Sequence, residues 1–364
     1  MAKKLASDKA LFTVVVLLVA FGLVMVFSAS AALARGHGGG LTANPFLVKQ
    51  GLAAGIGVVA MLAAMHIDYR TWKRPAVVYA GLLAVVALLA AVLLVGPVLN
   101  GTRRWFVLGP LSVQPSEIAK LALVPFVAYQ LERKADRVNR PELLLPVGLA
   151  TALVGGLVLL GPDLGTAALI VATVLLMVFL AGLRWRAVLL GAAVLLPLGM
   201  LAVLGEGYRR QRLLAFLDPE ADPLGAGYQV LQSLIAVGSG GLFGVGLGNS
   251  GQKLFFLPYP HSDFIYAIVA EELGLIGALA VLALFALLLW RGVVAGSRAP
   301  DLFGRYLAWG ITATLVLQAL INVSVAVALL PTKGIPLPFI SYGGSSLVAS
   351  LAACGVLLNL SEHS

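Results

Sequence analysis

Ten apolar segments constrain this 364-residue chain more than any other feature of its sequence. A helix needs about 20 apolar residues to cross the hydrocarbon core of a bilayer, and most of these segments approach that length. Backbone polar groups in lipid must be bonded within the chain, and the period-two alternation of a β-barrel is absent, so we predict helices. The segments run near Leu11–Leu33, Phe46–Ile67, Ala76–Val98, Ser116–Leu131, Leu143–Leu160, Thr166–Leu180, Ala187–Leu204, Asp263–Trp290, Tyr306–Leu330 and Ser341–Leu360. The sequence therefore predicts an all-α polytopic membrane protein with about ten transmembrane helices in a single domain, residues 1–364.

The composition excludes several classes of protein. Hydrophobic residues make up 60% of the chain and charged residues 11%, whereas soluble globular proteins carry about 25% charged residues. So few charges cannot cover a soluble fold of this size, which excludes soluble enzymes, nucleic-acid-binding proteins and disordered scaffolds. The one cysteine, Cys354, lies in an apolar segment, so a disulfide framework and a cysteine-based metal site are excluded as well.

The basic residues predict the orientation of the chain. Counted loop by loop, fifteen Lys and Arg residues fall on the side of the N-terminal tail and eight on the opposite side. Loops rich in Lys and Arg stay in the cytoplasm, so we predict that both termini are cytoplasmic. The first apolar run exceeds the roughly 7–15 residues of a signal-peptide core, so we interpret it as an uncleaved span.

Polar features gather on the predicted outer side. The one long loop covers about residues 205–262, between spans 7 and 8, and contains the arginine-rich stretch Tyr208–Arg212 and the glycine-rich stretch Gly238–Gly251. A loop of this length in a compact protein is usually functional or carries helices of its own. We predict that Leu231–Val237 is one such helix.

Five carboxylates lie in the outer halves of the predicted spans, namely Glu117, Asp163, Asp263, Glu271 and Glu272. A charge within a bilayer is costly, so such groups face a polar cavity or a partner. Glu117 and Lys120 are three residues apart on one helix and are predicted to form a structural ion pair. Neighbouring residues on a helix point about 100° apart, so Glu271 and Glu272 cannot both face one cavity.

Asp263 is the carboxylate that the sequence singles out. We predict that it lies in the first turn of a long helix, where free backbone amides and the helix dipole favour an anion. It opens directly onto the long loop, and basic side chains are near it in sequence. Asp163, after Pro162, is predicted to lie at the start of another span, as Asp263 does at the start of its own. The two carboxylates are candidates for one shared cavity, and each also fits the role of a simple helix cap.

Six motifs, in order along the chain, carry a family resemblance. They are R-W-F-x-x-G-P-x-x-x-Q-P-S-E from Arg104, G-P-D-L-G-T from Gly161, G-Y-Q from Gly227, G-x-G-L-G-N-S-x-Q-K-L from Gly244, L-P-x-x-H-S-D-F-I-Y-A from Leu257 and S-Y-G-G-S-S from Ser341. Together they resemble the SEDS family (shape, elongation, division and sporulation) of bacterial membrane proteins over nearly the whole chain. G-N-S-x-Q-K-L and L-P-T-K-G resemble its cell-division branch, the FtsW-like sequences, with Ser262 in place of the threonine common there.

The resemblance implies an activity and its partners. It implies a peptidoglycan glycosyltransferase of the bacterial inner membrane that polymerises lipid II, an undecaprenyl diphosphate-linked disaccharide peptide, into β1,4-linked strands at the division septum. A class B penicillin-binding transpeptidase and other division proteins are the implied partners, and nucleic acid is not one of them.

The family's catalytic carboxylate maps onto Asp263. An α-linked donor and a β product imply inversion in a single displacement, with Asp263 as general base, a role that typically contributes about 10²–10⁴-fold. At a helix N-terminus this carboxylate is expected to stay ionised and to be only weakly basic.

The leaving diphosphate needs a positive counter-charge. The candidates for contacts to the diphosphate or the sugar are Arg104, Arg210, Lys253, Lys333, Asp163, His261 and Ser341. A divalent cation, Mg²⁺ or Mn²⁺, held by Asp263 and Asp163 would serve the same purpose, and the sequence does not choose between these arrangements. Two other functions stay open: a lipid II flippase, which needs polar groups along the full membrane depth, and a division scaffold without activity.

Overall fold

The computed structural model describes residues 8–36, 44–99, 101–109 and 111–363. Twelve α-helices follow one another in these ranges: α1 (Lys9–Gly36), α2 (Pro45–His66), α3 (Pro75–Val95), α4 (Pro115–Arg133), α5 (Pro141–Leu160), α6 (Leu164–Leu180), α7 (Trp185–Leu204), α8 (Gly207–Leu217), α9 (Tyr228–Ser239), α10 (Ile265–Ser297), α11 (Leu302–Ala326) and α12 (Gly344–Glu362). Lys3 and Lys4, part of the predicted basic tail, lie outside the described residues.

Ten of these helices lie at the ten predicted positions, and proline sets several of their starts. α2, α3, α4 and α5 begin at Pro45, Pro75, Pro115 and Pro141. Proline lacks an N–H and has a fixed φ, so it fits the first helical turn, where backbone amides have no partner. The other two helices, α8 and α9, belong to the long loop. α9 confirms the predicted helix at Leu231–Val237, and α8 is a helix that the sequence analysis does not predict.

The chain is a multi-pass membrane protein. Within the described residues, seven helices are long and apolar enough to cross a membrane, namely α1, α2, α3, α5, α10, α11 and α12. The apolar stretches of α6 and α7 are shorter, and α4 carries the charged pair Glu117 and Lys120. Most residues of α4 are buried, so this helix presents little surface to lipid and tolerates its charges.

Both ends of the described chain lie at the same end of the bundle. The Asp8 N–H donates to Ser361 Oγ at 3.1 Å, and Asp8 Oδ2 pairs with Arg291 Nη2 at 2.6 Å. We call this the terminal end. Because Arg291 belongs to the last third of α10, the start of α10 and the residues before it lie at the opposite end, which we call the loop end.

The bundle is closed by tight helix contacts at two glycines. A Cβ on Gly355 of α12 would overlap Met61 O of α2, and one on Gly292 of α10 would overlap the Thr312 side chain of α11. At the loop end, strands β1 (Phe106–Leu108) and β2 (Leu111–Val113) form an antiparallel hairpin between α3 and α4. This hairpin is a second feature that the sequence analysis does not predict.

Candidate active site

Four segments meet around Asp263 at the loop end: the turn 161–163, helix α8, the segment 261–263 before α10 and the segment 331–343 between α11 and α12. Arg212 Nη1 on α8 donates to Thr332 O at 3.1 Å. A Cβ on Gly334 would lie 3.3 Å from Asp263 Oδ2, and one on Gly165 would lie 3.5 Å from Lys333 Cβ. The segment 331–343 therefore contacts α8, the segment 261–263 and the start of α6, directly after the turn 161–163.

Asp263 does not lie in the first turn of a helix, and that expectation is wrong. α10 begins at Ile265, with Phe264 as its N-cap. Asn322 Nδ2 on α11 donates to Asp263 O at 2.9 Å, while the Ala267 N–H donates to Phe264 O at 3.0 Å. Because the Asp263 carbonyl accepts from Asn322, the first carbonyl that accepts a helical hydrogen bond is that of Phe264. Asp263 therefore belongs to the segment before α10.

The Asp263 carboxylate is half-buried and forms no ion pair within 4.0 Å among the residues that the structure describes. Burial raises its pKa to about 6, while the positive charge of Arg212 and a hydrogen bond from the Ser262 side chain act in the opposite direction. The expectation of weak basicity is therefore wrong, since an ordinary aspartate has a pKa of about 3.9. At pH 7 Asp263 is still ionised, and it is a stronger base than an exposed aspartate.

Asp163 is the N-cap of α6, as the sequence predicts. Its Oδ1 accepts from the Thr166 N–H at 3.0 Å, and Oδ2 accepts from Gln114 Nε2 at 3.4 Å. The side chain is buried, and burial raises its pKa while the bond from Thr166 and the charge of Arg104 lower it. Asp163 also lies close enough to Asp263 for its charge to raise the pKa of that carboxyl.

Two cations flank Asp163 in different ways. The Arg104 guanidinium donates to Gly161 O and Pro162 O, so it holds the turn that presents Asp163. Lys333 is half-buried, and burial lowers its pKa while the charge of Asp163 raises it. In the described part of the chain, Lys333 has no ion-pair partner within 4.0 Å, so its ammonium is available to a ligand.

Ser341 and Tyr342 hold the two segments next to Asp263 together. Ser341 Oγ donates to Ser262 O at 2.6 Å and accepts from the Leu337 N–H at 2.8 Å. The Tyr342 N–H donates to His261 O at 2.8 Å. The Ser341 side chain is buried and its hydroxyl is occupied by these bonds, so it positions the segments and is not free to contact a substrate.

His261 packs between two aromatic rings. Its ring centroid lies 4.8 Å from that of Phe46 and 5.5 Å from that of Tyr342. Among the described residues its Nδ1 finds no hydrogen-bond partner, and burial lowers its pKa to about 4. The imidazole is therefore neutral at pH 7 and brings no positive charge to the site.

Two predicted cations have other surroundings. Lys253 is buried, and its Nζ lies 2.7 Å from Glu272 Oε1 and 3.2 Å from Ser28 Oγ. Arg210 lies on the exposed side of α8. The sequence predicts Lys253 and Arg210 as the long-loop cations near Asp263. In the structure the long-loop cation whose charge acts on Asp263 is Arg212.

The remaining outer carboxylates have close partners. Lys120 Nζ lies 2.7 Å from Glu117 Oε2 and also donates to Gln318 Oε1. Glu271 Oε1 accepts from the Gly251 N–H at 2.9 Å, and Ser250 donates to both glutamates, through its hydroxyl to Glu271 and through its N–H to Glu272. The expectation that Glu271 and Glu272 cannot face one place is therefore wrong, because side-chain torsions bring both carboxylates to the same loop. We call Glu117–Lys120 and Glu272–Lys253 the paired clusters. The site cluster consists of Asp163, Asp263, Lys333 and Arg212.

An apolar groove of about 940 Å³ adjoins the site cluster. It runs between α2, α3, α4 and α12, from Ile67 near the terminal end up to the hairpin. Apart from Trp72 near Ile67, its polar lining residues lie at the loop end: Lys49, Ser112, Tyr342 and Ser345. Ser345 Oγ accepts from the Gln114 N–H at 3.0 Å, and the Gln114 side chain reaches Asp163. Gln114 therefore connects the loop end of the groove to the site cluster.

Sequence reasoning missed Arg212, Gln114 and Gly334. The Y-R-R-Q-R stretch indicates a basic surface, but which arginine faces Asp263 depends on α8, where Arg210 and Arg212 point about 200° apart. After Tyr208 the chain reads Arg-Arg-Gln-Arg and then Leu-Leu-Ala-Phe-Leu, a pattern that gives no local signal to separate the two arginines. Gln114 and Gly334 lie in the quoted motifs Q-P-S-E and L-P-T-K-G, but the motifs do not give their roles, which come from contacts between distant segments.

Comparisons with known proteins agree with one another. The family FtsW/RodA/SpoVE, described as cell cycle protein, matches residues 8–364. Stage V sporulation protein E of Bacillus subtilis is 43% identical to this chain, over 100% of this chain and 99% of its own length. The probable peptidoglycan glycosyltransferase FtsW of Geobacter metallireducens is also 43% identical, over 98% of this chain and 95% of its own length.

Two solved structures share the fold. One belongs to a peptidoglycan synthase complex described as coordinating polymerization and crosslinking, with a TM-score of 0.80, 36% identity and 98% of both chains covered. The other is the rod shape determining protein RodA of Thermus thermophilus, with a TM-score of 0.71, 32% identity and 98% of both chains covered.

Proposed function

The chain belongs to the FtsW/RodA/SpoVE family of cell cycle proteins, and from this premise we propose that it is a peptidoglycan glycosyltransferase that polymerises lipid II with Asp263 as general base. The observation that carries the proposal is the state of Asp263, which is half-buried, has no ion-pair partner within 4.0 Å among the described residues and lies near enough to Arg212 to feel its charge. A base whose pKa of about 6 lies close to neutral pH is suited to proton transfer.

The reaction is a single inverting displacement. The C4 hydroxyl oxygen of the acceptor sugar attacks C1 of the donor sugar, and its proton passes to an Asp263 carboxylate oxygen. The bond between C1 and the diphosphate oxygen breaks on the opposite face, and its electron pair leaves with undecaprenyl diphosphate. The new bond is β1,4, and Asp263 loses its proton to water before the next cycle.

The negative charge of the departing diphosphate needs stabilisation within the protein. Fixed positive groups that face the developing charge are a large source of rate enhancement. Lys333 supplies such a group, because its half-buried ammonium has no carboxylate partner within 4.0 Å among the described residues. Asp163 and Asp263 are the residues that would hold a divalent cation, Mg²⁺ or Mn²⁺, and such a cation would neutralise the same charge. In the described part of the chain no group of three or more His, Cys, Asp or Glu side chains is placed to hold one, so the substrate would have to complete the site.

The apolar groove is suited to the isoprenoid chain of the substrate. A tail that remains in the bilayer needs an apolar channel open to the membrane, and a headgroup needs polar groups where that channel ends. The lining of the groove is apolar along its depth, and apart from Trp72 near Ile67 its polar residues lie at the loop end, beside Gln114. A lipid tail in the groove would therefore present its headgroup to the site cluster.

The same distribution argues against a flippase. A path for a charged headgroup needs polar groups through the whole membrane depth, since an unpaired charge within lipid is costly. The groove offers none between the hairpin and Ile67 in the described residues. Polymerisation on one side of the membrane is the function that this arrangement supports best.

A class B penicillin-binding transpeptidase is the proposed partner, and the bacterial inner membrane at the division septum is the proposed location. The related synthase complex is described as coordinating polymerization with crosslinking, which supports a crosslinking partner. Relatives named FtsW support a role in division, whereas the relative named stage V sporulation protein E supports a role in sporulation. Restoration of septation in cells depleted of FtsW, with a septal signal from a fluorescent fusion, would support division; restoration only of sporulation would contradict it.

The direct test is an assay of glycan synthesis. The purified chain, in complex with its transpeptidase and supplied with lipid II in the presence and absence of Mg²⁺, should form long glycan strands. Lipid II should not cross the membrane of liposomes that contain the chain. Translocation without polymerisation would show that the flippase reading is correct and the proposal is wrong.

A further inference from the structure

Arg212 occupies a distinctive position on the long loop. It is half-buried on α8, and its guanidinium lies over the Tyr208 ring, 4.5 Å from the ring centroid. Its Nη1 donates to Thr332 O at 3.1 Å. These two contacts fix the direction of the side chain toward the segment 331–343.

The backbone of that segment relates Arg212 to Asp263. Thr332 accepts from Arg212, and two residues later the Cβ position of Gly334 lies 3.3 Å from Asp263 Oδ2. Two peptide units span at most about 7 Å, so this path places the guanidinium no farther than roughly 13 Å from the carboxylate. The charge of Arg212 lowers the pKa of Asp263 against the larger effect of burial, which agrees with this placement.

A separation within this limit leaves room for the reacting groups. The base-to-hydroxyl bond, the approach of the hydroxyl oxygen to C1, the bond to the leaving oxygen and a hydrogen bond to that oxygen together span about 10 Å. In an inverting displacement the base and the leaving group lie at opposite ends of this line. Lys333 adjoins Thr332 in the segment between them, so it can contact the same leaving group.

Arg212 has hydrogen-bond donors that its contact with Thr332 does not use. A guanidinium carries five N–H groups in a planar fork that matches two phosphate oxygens at once. One of them is used on Thr332 O, and no carboxylate lies within 4.0 Å of the Arg212 nitrogens in the described part of the chain. A ligand rich in anionic oxygens is the chemistry that satisfies such a group.

Resting on the proposed glycosyl transfer, we infer that Arg212 binds the departing diphosphate, together with Lys333, and stabilises its charge as the C1–oxygen bond breaks. Arg210, two residues earlier on the same helix, does not take part, because it lies on the exposed side of α8. In this arrangement α8 holds the diphosphate end of the donor, and Asp263 holds the acceptor hydroxyl.

The test compares Arg212→Ala with Arg210→Ala, which removes the same charge from the exposed side of the helix. In the purified complex at saturating lipid II, Arg212→Ala should lower kcat by about 10²-fold, the effect of losing one fixed donor to a developing charge. Arg210→Ala should stay within about twofold of the wild type, since exposed single charges contribute little. Arg212→Lys should recover part of the rate.

A pH profile separates a role in the reaction from a role in folding. Removal of the Arg212 charge should raise the pKa of Asp263. The pH below which the rate falls, the acid limb of the pH–rate profile, should therefore move to higher pH in Arg212→Ala and should not move in Arg210→Ala. The melting temperature of Arg210→Ala should match the wild type, and that of Arg212→Ala should fall by no more than a few degrees, the cost of its hydrogen bond to Thr332 O.

Three outcomes would contradict these assignments, and they are distinguishable. Failure of the wild-type complex to polymerise lipid II would overturn the proposed function itself. An active wild type with equal losses in both arginine variants would overturn the assignment to Arg212 and leave the polymerase intact. A loss in Arg212→Ala with a lower melting temperature and an unmoved acid limb would show a structural role only.

Discussion

The paired clusters and the site cluster contain the same kinds of side chain in opposite states. In the paired clusters each ammonium lies 2.7 Å from a carboxylate oxygen, for both Glu117–Lys120 and Glu272–Lys253. In the site cluster, Asp163, Asp263, Lys333 and Arg212 form no ion pair within 4.0 Å among the described residues. Charges that satisfy each other hold helices together, whereas charges kept apart are available to a substrate.

The energetic consequences of the two states differ. Removal of one partner from a buried pair leaves an uncompensated charge and costs about 3–5 kcal/mol of stability. Removal of a charge that has no partner leaves nothing uncompensated and relieves a desolvation cost. Substitutions of Asp263 and Lys333 should therefore change activity at nearly constant stability, and substitutions in the paired clusters should do the reverse. Asp163 also caps α6, so its substitution should lower both activity and stability.

Asp263→Asn is expected to show the largest effect on activity. Loss of the general base should lower the polymerisation rate by about 10²–10⁴-fold, with a melting temperature equal to or above that of the wild type. The measurement is glycan formation from lipid II by the purified complex. Glu220→Gln, an exposed carboxylate on the same loop, is the control and should be fully active. A rate for Asp263→Asn within tenfold of the wild type would contradict the assignment.

Lys333→Met should have the next largest effect. It keeps the length of the side chain but removes a positive charge that faces the developing diphosphate, so kcat should fall by about 10²–10³-fold. Lys333→Arg should retain more of the rate than Lys333→Met does. If Lys333 had only a structural role, both variants would instead have a lower melting temperature. This result would contradict the assignment of Lys333 to the site cluster.

Lys253→Ala tests the other side of the comparison. It leaves Glu272 buried without its partner, so the free energy of unfolding should fall by about 3–5 kcal/mol while the turnover of the folded fraction stays within a few-fold of the wild type. The double variant Lys253→Met, Glu272→Gln removes both charges and should recover most of the stability. Loss of turnover without loss of stability in Lys253→Ala would show that Lys253 acts on the substrate.

Gly334→Ala should have the smallest effect. Its new Cβ would lie 3.3 Å from Asp263 Oδ2, so the carboxylate must shift by a few tenths of an ångström. Since a displacement of about 1 Å can cost about 10²-fold, we expect a decrease in kcat of several-fold. Gly343→Ala is the matched control in the same segment, because its Cβ would meet only an ordinary contact at 3.7 Å. Equal rates for both variants would mean that Asp263 tolerates displacement.

The helical frame could be predicted from the sequence because lipid imposes a simple rule on it. Long apolar runs with internally bonded backbones give helices, and the ten predicted positions are all helical. The start of α10 differs by two residues from the prediction, because a side chain from α11, Asn322, takes the carbonyl of Asp263. A contact between segments 59 residues apart leaves no local pattern in the sequence.

The candidate site could be predicted only in part, for the same reason. Asp163 and Asp263 could be singled out because carboxylates are rare near the ends of apolar spans. Lys253 looked equally promising, and only the fold shows that its ammonium meets Glu272. The sequence alone could not distinguish Arg212 from Arg210. Which of the two arginines points toward Asp263 depends on how α8 packs against the segment 331–343. Sequence identifies the charged side chains, and packing decides which of them are left unpaired.

The pH dependence of the wild-type rate tests the central claim most directly. If Asp263 acts as an unpaired base with its pKa raised to about 6, kcat/KM for lipid II should be constant above pH 7 and should fall about tenfold per unit below pH 6. An Asp263 held in an ion pair would have a pKa below the ordinary value of about 3.9. An acid limb near pH 4, or a rate that does not change between pH 5 and pH 7, would contradict the account.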